Sequence, residues 1–186
     1  MIMSASTAVE RLGIIATSEE FVNFEARLKG IEELIRNYTK NNFHDRMIRS
    51  EESLTFVSAT KTITGDDFLE LGFRAGDTIE VSYALLNRGL FTVASVTESS
   101  LVVNESLQDE TDEAMITKVL YPSDVVEGVV KILAYEEQME GKLGIKSETI
   151  SRYSVTYFDM TSAESIEGYP ASLMKFLTKY KRVRRS

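Results

Sequence analysis

Two periodicities divide the chain. Phe21, Phe24, Leu28, Ile31, Ile35 and Tyr38 recur three or four positions apart, one stripe along an α-helix. In front of them, Thr17-Ser18-Glu19-Glu20 has the form of a capping box. The Thr17 hydroxyl and the Glu20 carboxylate would take up first-turn amides there. The pattern predicts a helix from Thr17 to Tyr38, its stripe serving core packing. From Leu54 to Leu120 the period falls to two. Ile79, Val81 and Tyr83 alternate with Thr78, Glu80 and Ser82, and Leu90–Thr97, Leu101–Val103 and Ala114–Leu120 are short β-branched runs. Turn signals separate them at Gly65-Asp66-Asp67, Ala75-Gly76-Asp77, Asn87-Arg88-Gly89 and Glu98-Ser99-Ser100. Four or five strands over this length predict a small antiparallel barrel or sandwich.

Helical spacing resumes at Tyr121. Pro122 suits a first turn, where its missing N–H costs nothing, and Val125, Val126, Val129, Ile132 and Leu133 follow up to a stop near Gly141. Residues 142–169 read as irregular, with one extended piece at Tyr153–Phe158. A last short helix is predicted from Pro170 through Leu173, Phe176, Leu177 and Tyr180. The expected fold class is α+β: a helical bundle with an inserted small antiparallel β-barrel or sandwich module. Residues 1–50 and 121–186 form its helical part and 51–120 the insertion.

Composition narrows the chemistry. The 186 residues are 43% hydrophobic and 27% charged, enough to bury a real core. The absence of cysteine removes disulfides, thiolate zinc sites and thiol nucleophiles, and the one histidine removes His-rich metal sites. No apolar run approaches the ~20 residues that span a bilayer, and the first twenty residues lack a basic segment ahead of an apolar one. A soluble protein, intracellular or particle-bound, is expected.

The net charge of -8 argues against a surface that coats nucleic acid or membrane throughout. The charge is uneven. Lys179, Lys181, Arg182, Arg184 and Arg185 lie within the last eight residues, KYKRVRRS; without these five, 16 of the 21 basic residues face 29 acidic ones. Tyr180 and Val183, set among those charges, favour a packed contact over a purely solvated tail.

Catalytic signals are weak. His44 stands beside Asp45, as an oriented base does, but no serine in a nucleophile-elbow context accompanies it. Asp66, Asp67 and Glu70, and the run from Asp109 to Glu113, could hold a divalent cation. Neither has calcium-loop spacing, and both read as solvated loops. No GxxxxGK[ST] or GxGxxG phosphate cradle occurs. No enzyme activity, cofactor or metal is expected. Two further readings are a hydrolase or nuclease using the acidic loops, and a DNA-binding regulator with a basic arm.

Two stretches resemble a known family. One is Ile35-Arg36-Asn37-Tyr38-Thr39-Lys40-Asn41-Asn42-Phe43, a helix end running into a Tyr-Thr-x-Asn-x-Phe segment. The other is Lys146-Ser147-Glu148-Thr149-Ile150-Ser151-Arg152-Tyr153-Ser154-Val155-Thr156-Tyr157, followed by Tyr169-Pro170 and the segment from Leu173 to Tyr180. Over residues 15–45 and 120–186 the chain is similar to the head–tail connector (adaptor) proteins of long-tailed bacteriophages and prophages. The resemblance implies a helical core and a ring of copies, typically twelve, beneath the portal protein in the virion neck. DNA would pass through the ring without sequence-specific binding, and a stopper or tail-completion protein would sit on its other face. In that family the C-terminal segment reaches into the portal, which makes Lys179, Tyr180, Lys181, Arg182, Val183, Arg184 and Arg185 candidate portal-docking residues. The β module is a departure, since many compact members lack it.

Overall fold

The computed structural model describes residues 1–15, 17–139, 147–150, 153–156 and 165–182. In chain order they form α1 (Ala5–Leu12), α2 (Ser18–Thr39), β1 (His44–Val57), β2 (Thr62–Thr64), α3 (Phe68–Leu71), β3 (Thr78–Ser82), β4 (Gly89–Val96), β5 (Ser100–Val103) and β6 (Glu110–Val119). Then come α4 (Ser123–Met139), β7 (Ser147–Ile150), β8 (Tyr153–Thr156), β9 (Ser165–Ile166), β10 (Tyr169–Pro170), α5 (Ala171–Met174) and a 3-10 helix, Lys175–Tyr180. The fold is mixed α and β. It divides into two compact units: one is Asn42–Tyr121 with Met1–Ile2, the other Met3–Asn41 with Pro122–Ser186.

The first unit is a closed antiparallel barrel in the order β1-β2-β5-β4-β3-β6, with β6 returning to β1. Closure leaves no free strand edge. Its core takes one face of each strand, from Leu54 and Phe56 through Ile79, Val81 and Val93 to Ile116, and α3 adds Phe68, whose ring meets Phe73 edge-on at 5.9 Å. Six strands replace the four or five expected, and the unit starts at Asn42 rather than at 51. The reason is β1. Its first ten residues, HDRMIRSEES, have no hydrophobic alternation, yet residues 49–56 pair with Thr117 back to Glu110. The pairing slips between His44 and Arg49, a bulge that leaves Met47 in solvent. Tyr83 also departs from expectation: the strand ends at Ser82, and the ring points outward instead of continuing the inward phase of Ile79 and Val81.

In the second unit, α2 begins where the sequence places it. The Thr17 hydroxyl accepts from the Glu20 N–H at 3.4 Å, the Glu20 carboxylate accepts from the Thr17 N–H at 2.5 Å, and Phe24, Leu28, Ile31 and Ile35 are buried. Helix α1, which the periodicity did not reveal, starts on a Ser4 cap and stops at Gly13 in the left-handed region (φ 68). Arg11 of α1 pairs with Glu127 of α4. Arg27 of α2 forks onto Glu136 (3.0 and 2.9 Å) and Glu137 of α4, and Glu136 also accepts from the Tyr169 hydroxyl. Burial and that acceptor push the Tyr169 phenol well above its usual range.

Two expectations for this unit need correction. The helix predicted from Pro170 to Tyr180 is four α-helical residues and then a 3-10 helix, with Leu177 buried. The stretch expected to be irregular pairs β7 with β8 and β9 with β10. Gly141 and the end of the extended piece, 157–158, lie outside the described residues.

Candidate functional site

The basic tail is the candidate that sequence singles out, and its first four residues are described. Lys179 and Tyr180 close the 3-10 helix, whose tight turn brings both side chains to one carboxylate in the first turn of α4. The Lys179 Nζ lies 2.7 Å from Asp124 Oδ2, and the Tyr180 hydroxyl donates to Asp124 Oδ1 at 2.6 Å. Hydrogen bonds from Lys179 and then Tyr180 hold the Asp124 carboxyl below its ordinary value, and the same Asp124 raises Lys179. Burial, then Asp124, raises the Tyr180 phenol. Lys181 Nζ sits 3.7 Å over the Tyr38 ring of α2, a cation–π contact. The Arg182 N–H donates to the Thr39 carbonyl at 2.8 Å, and the Asn41 side chain donates to the Tyr180 carbonyl at 3.4 Å.

The root of the tail is therefore fastened to its own unit, and the exposed side chain of Arg182 is the last described group. Val183, Arg184 and Arg185 lie outside the described residues. Sequence reasoning missed Asp124, Tyr38 and Thr39 as the tail's partners. An acidic residue in a first helical turn is expected from the helix dipole alone and does not announce a lysine more than fifty positions later.

His44 does not form the local pair with Asp45. Its Nε2 lies 2.6 Å from Glu80 Oε2 on β3, Asn42 donates to the other Glu80 oxygen at 3.4 Å, and Asp45 accepts instead from the Met47 N–H at 3.0 Å. The pairing of β3 and β1 with β6 brings Glu80 and His44 together, which no local motif encodes.

The acidic run from Asp109 to Glu113 is not the loop expected, since all but Asp109 belong to β6, and two of its carboxylates, Asp109 and Glu110, hold backbone. Asp109 accepts from the Ser58 N–H at 2.7 Å. Glu110 accepts from three successive amides, Leu85 (2.6 Å), Leu86 (2.9 Å) and Asn87 (3.1 Å), and from the Asn87 side chain (2.7 Å). Burial opposes ionisation of Glu110, but these donors outweigh it and hold the carboxyl below its ordinary value. Asp66, in the other acidic turn, has its N–H on Glu52 of β1. Among the described residues no cluster of His, Asp and Glu has the arrangement of a metal site, and no helix is long and apolar enough to cross a membrane.

Charge separates by unit. Asn42–Tyr121 holds six basic residues (Arg46, Arg49, Lys61, Arg74, Arg88, Lys118) and fourteen acidic ones. Of 21 basic and 29 acidic residues, fifteen of each remain for the second unit, so the whole net charge of -8 belongs to the barrel unit. No protein-family model matches the chain, and no curated protein is significantly similar to it.

Proposed function

We propose that the chain is a structural protein of a bacteriophage or prophage neck, a head–tail connector whose helical unit is a connector-type bundle. Copies would form a ring, dodecameric in the virion, between the portal protein and a stopper or tail-completion protein. The reading starts from the resemblance of the helical segments. One observation carries it further: the basic tail leaves from a root fixed at Asp124 on one side and at Tyr38 and Thr39 on the other. A segment that must reach a socket on another protein gains from a fixed point of departure, because less freedom is lost on docking. Lys179, Tyr180, Lys181 and the Arg182 backbone then act as the root, and the Arg182 side chain, Val183, Arg184 and Arg185 as the portal-docking part. An acidic unit also suits a DNA conduit, because each lysine or arginine on a phosphate adds a counterion-release term that holds the duplex in place.

The closed barrel favours a second reading, a stopper or tail-completion protein of the same neck, since those are commonly β-rich. Direct binding separates the two: a connector binds purified portal rings unaided, whereas a stopper needs a third protein. The main test is electron microscopy of lysates from a phage lacking this gene. The expected outcome is separate heads and finished tails, rejoined when the gene is supplied in trans. Intact virions without the gene would overturn both readings.

A further inference from the structure

The two connections between the barrel and the rest of the chain are tied together twice. The chain enters the barrel unit at Asn42 and leaves it after Tyr121. Within that unit the Leu120 N–H donates to the Phe43 carbonyl at 2.8 Å, and the Phe43 and Tyr121 rings stand 5.0 Å apart. Within the helical unit the root of the basic tail reaches both connections. On the entry side the Arg182 N–H is on the Thr39 carbonyl, the Asn41 side chain is on the Tyr180 carbonyl, and Lys181 lies over the Tyr38 ring. On the exit side Lys179 and Tyr180 share the Asp124 carboxylate, in the first turn after Pro122.

All the contacts of the root come from consecutive residues, Lys179 to Arg182, so drawing off one side pulls on the other. The Lys181 N–H turns back onto the Thr178 carbonyl at 3.4 Å, and Leu177 just before it is buried, which makes the root one anchored piece. The entry also carries a strained backbone. Lys40 has φ 51 and Phe43 has φ 55, left-handed conformations that side chains adopt at a cost. At Lys40 this is an ordinary helix end, with the Asn41 N–H on the Arg36 carbonyl at 3.3 Å. Phe43 is a bulky aromatic, held in place by the bond from Leu120 and by burial of its ring. A strained residue keeps its conformation only while its surroundings hold it.

Each contact of the root is weak by itself. Lys179 and Asp124 are 62% and 41% exposed, and an ion pair so wet contributes little to stability. Joined in one short segment, they hold the entry and the exit at once. We infer that the tail root is a clip across the two connections: while it is seated both stay closed, and whatever draws it away opens both together. By linkage the reverse holds, and opening at either connection loosens the root. Occupation of the tail is thereby felt at both points where the barrel is attached. The inference concerns the free chain and needs no ring; under the connector reading, the portal is what draws the tail.

The test is amide hydrogen exchange of the full chain, read by mass spectrometry at Lys40–Asp45 and at Val119–Val125. Two variants each disturb one side: Lys181→Ala removes the cation–π contact at the entry, and Asp124→Ala removes the shared carboxylate at the exit. The expected effect is crosswise. Lys181→Ala should speed exchange at Val119–Val125 about threefold, and Asp124→Ala should speed it at Lys40–Asp45 by about the same factor. Amides of Phe24–Ile35 and of Leu90–Val103 should keep their rates, which shows that both units remain folded. Acceleration confined to each variant's own side, or none at all, overturns the inference. So does acceleration that spreads through Phe24–Ile35, because the root would then be a general support of its helices. A failed clip leaves the connector reading standing, and intact virions without the gene remove that reading and leave the clip.

Discussion

Glu110 gathers four donors onto one carboxylate, and its value lies in charge as much as in shape. In Glu110→Gln the replacement amide is nearly isosteric, but it brings N–H donors to a place where donors already converge. Urea denaturation should show a loss of about 1 kcal/mol, because water takes up part of the lost bonding at the exposed Leu85 and Leu86 amides. The pH dependence has a definite sign. The folded carboxyl titrates below its ordinary 4.5, so its contribution is fully present above that value and is lost as pH falls through the lower folded one. Melting followed from about pH 6 to about pH 3 should therefore lose stability at the acid end, and less steeply in Glu110→Gln. An equal acid slope in both chains would mean that other carboxylates carry the effect, Asp109 and Asp124 being depressed as well. None of this was legible in the sequence, where the run from Asp109 to Glu113 reads as a solvated loop; its use as a backbone clamp depends on a loop more than twenty residues away.

At the scale of elements, local signals were readable and long-range pairing was not. Thr17 and Glu20 mark the start of α2 because a capping box is closed within four residues. The runs that became β3, β4, β5 and the latter part of β6 stood out because each alternates or is β-branched. The first ten residues of β1 escaped because their strand character comes from pairing with β6, and their side chains carry no alternation. Helix α1 has only eight residues, too few for a periodicity to declare itself. The turn to 3-10 geometry at Lys175 is equally invisible in a list of apolar positions.

Close packing of α4 is similar. Gly128 looks like a weak point in a helix, yet a Cβ there would overlap the Phe176 ring, which lies against the glycine. Gly128→Ala should therefore destabilise by about 1–3 kcal/mol despite the better helix propensity of alanine. Gly128→Ala combined with Phe176→Leu should recover part of that loss. Thermal melts of the single and double variants check it; a stabilised Gly128→Ala chain would mean that the ring swings away freely.

For the molecule as a whole, the separation of charge bears on assembly. Each copy carries its net -8 on the barrel unit, so copies set side by side repel through those units at low ionic strength. The free chain is expected to sediment as a monomer or weak oligomer near 20.9 kDa, with association growing as salt screens the repulsion. A stable dodecamer of the free chain, insensitive to salt, would contradict this.

The barrel also starts and finishes at almost one point. The Leu120 N–H donates to the Phe43 carbonyl at 2.8 Å, and the Phe43 and Tyr121 rings stand 5.0 Å apart. An insertion whose ends nearly touch can be gained or lost in a single recombination event, because a short turn closes the gap it leaves at little entropic cost. A chain closed at Phe43 and Tyr121 in this way can exchange its barrel without rebuilding the rest, so its two units need not share ancestors.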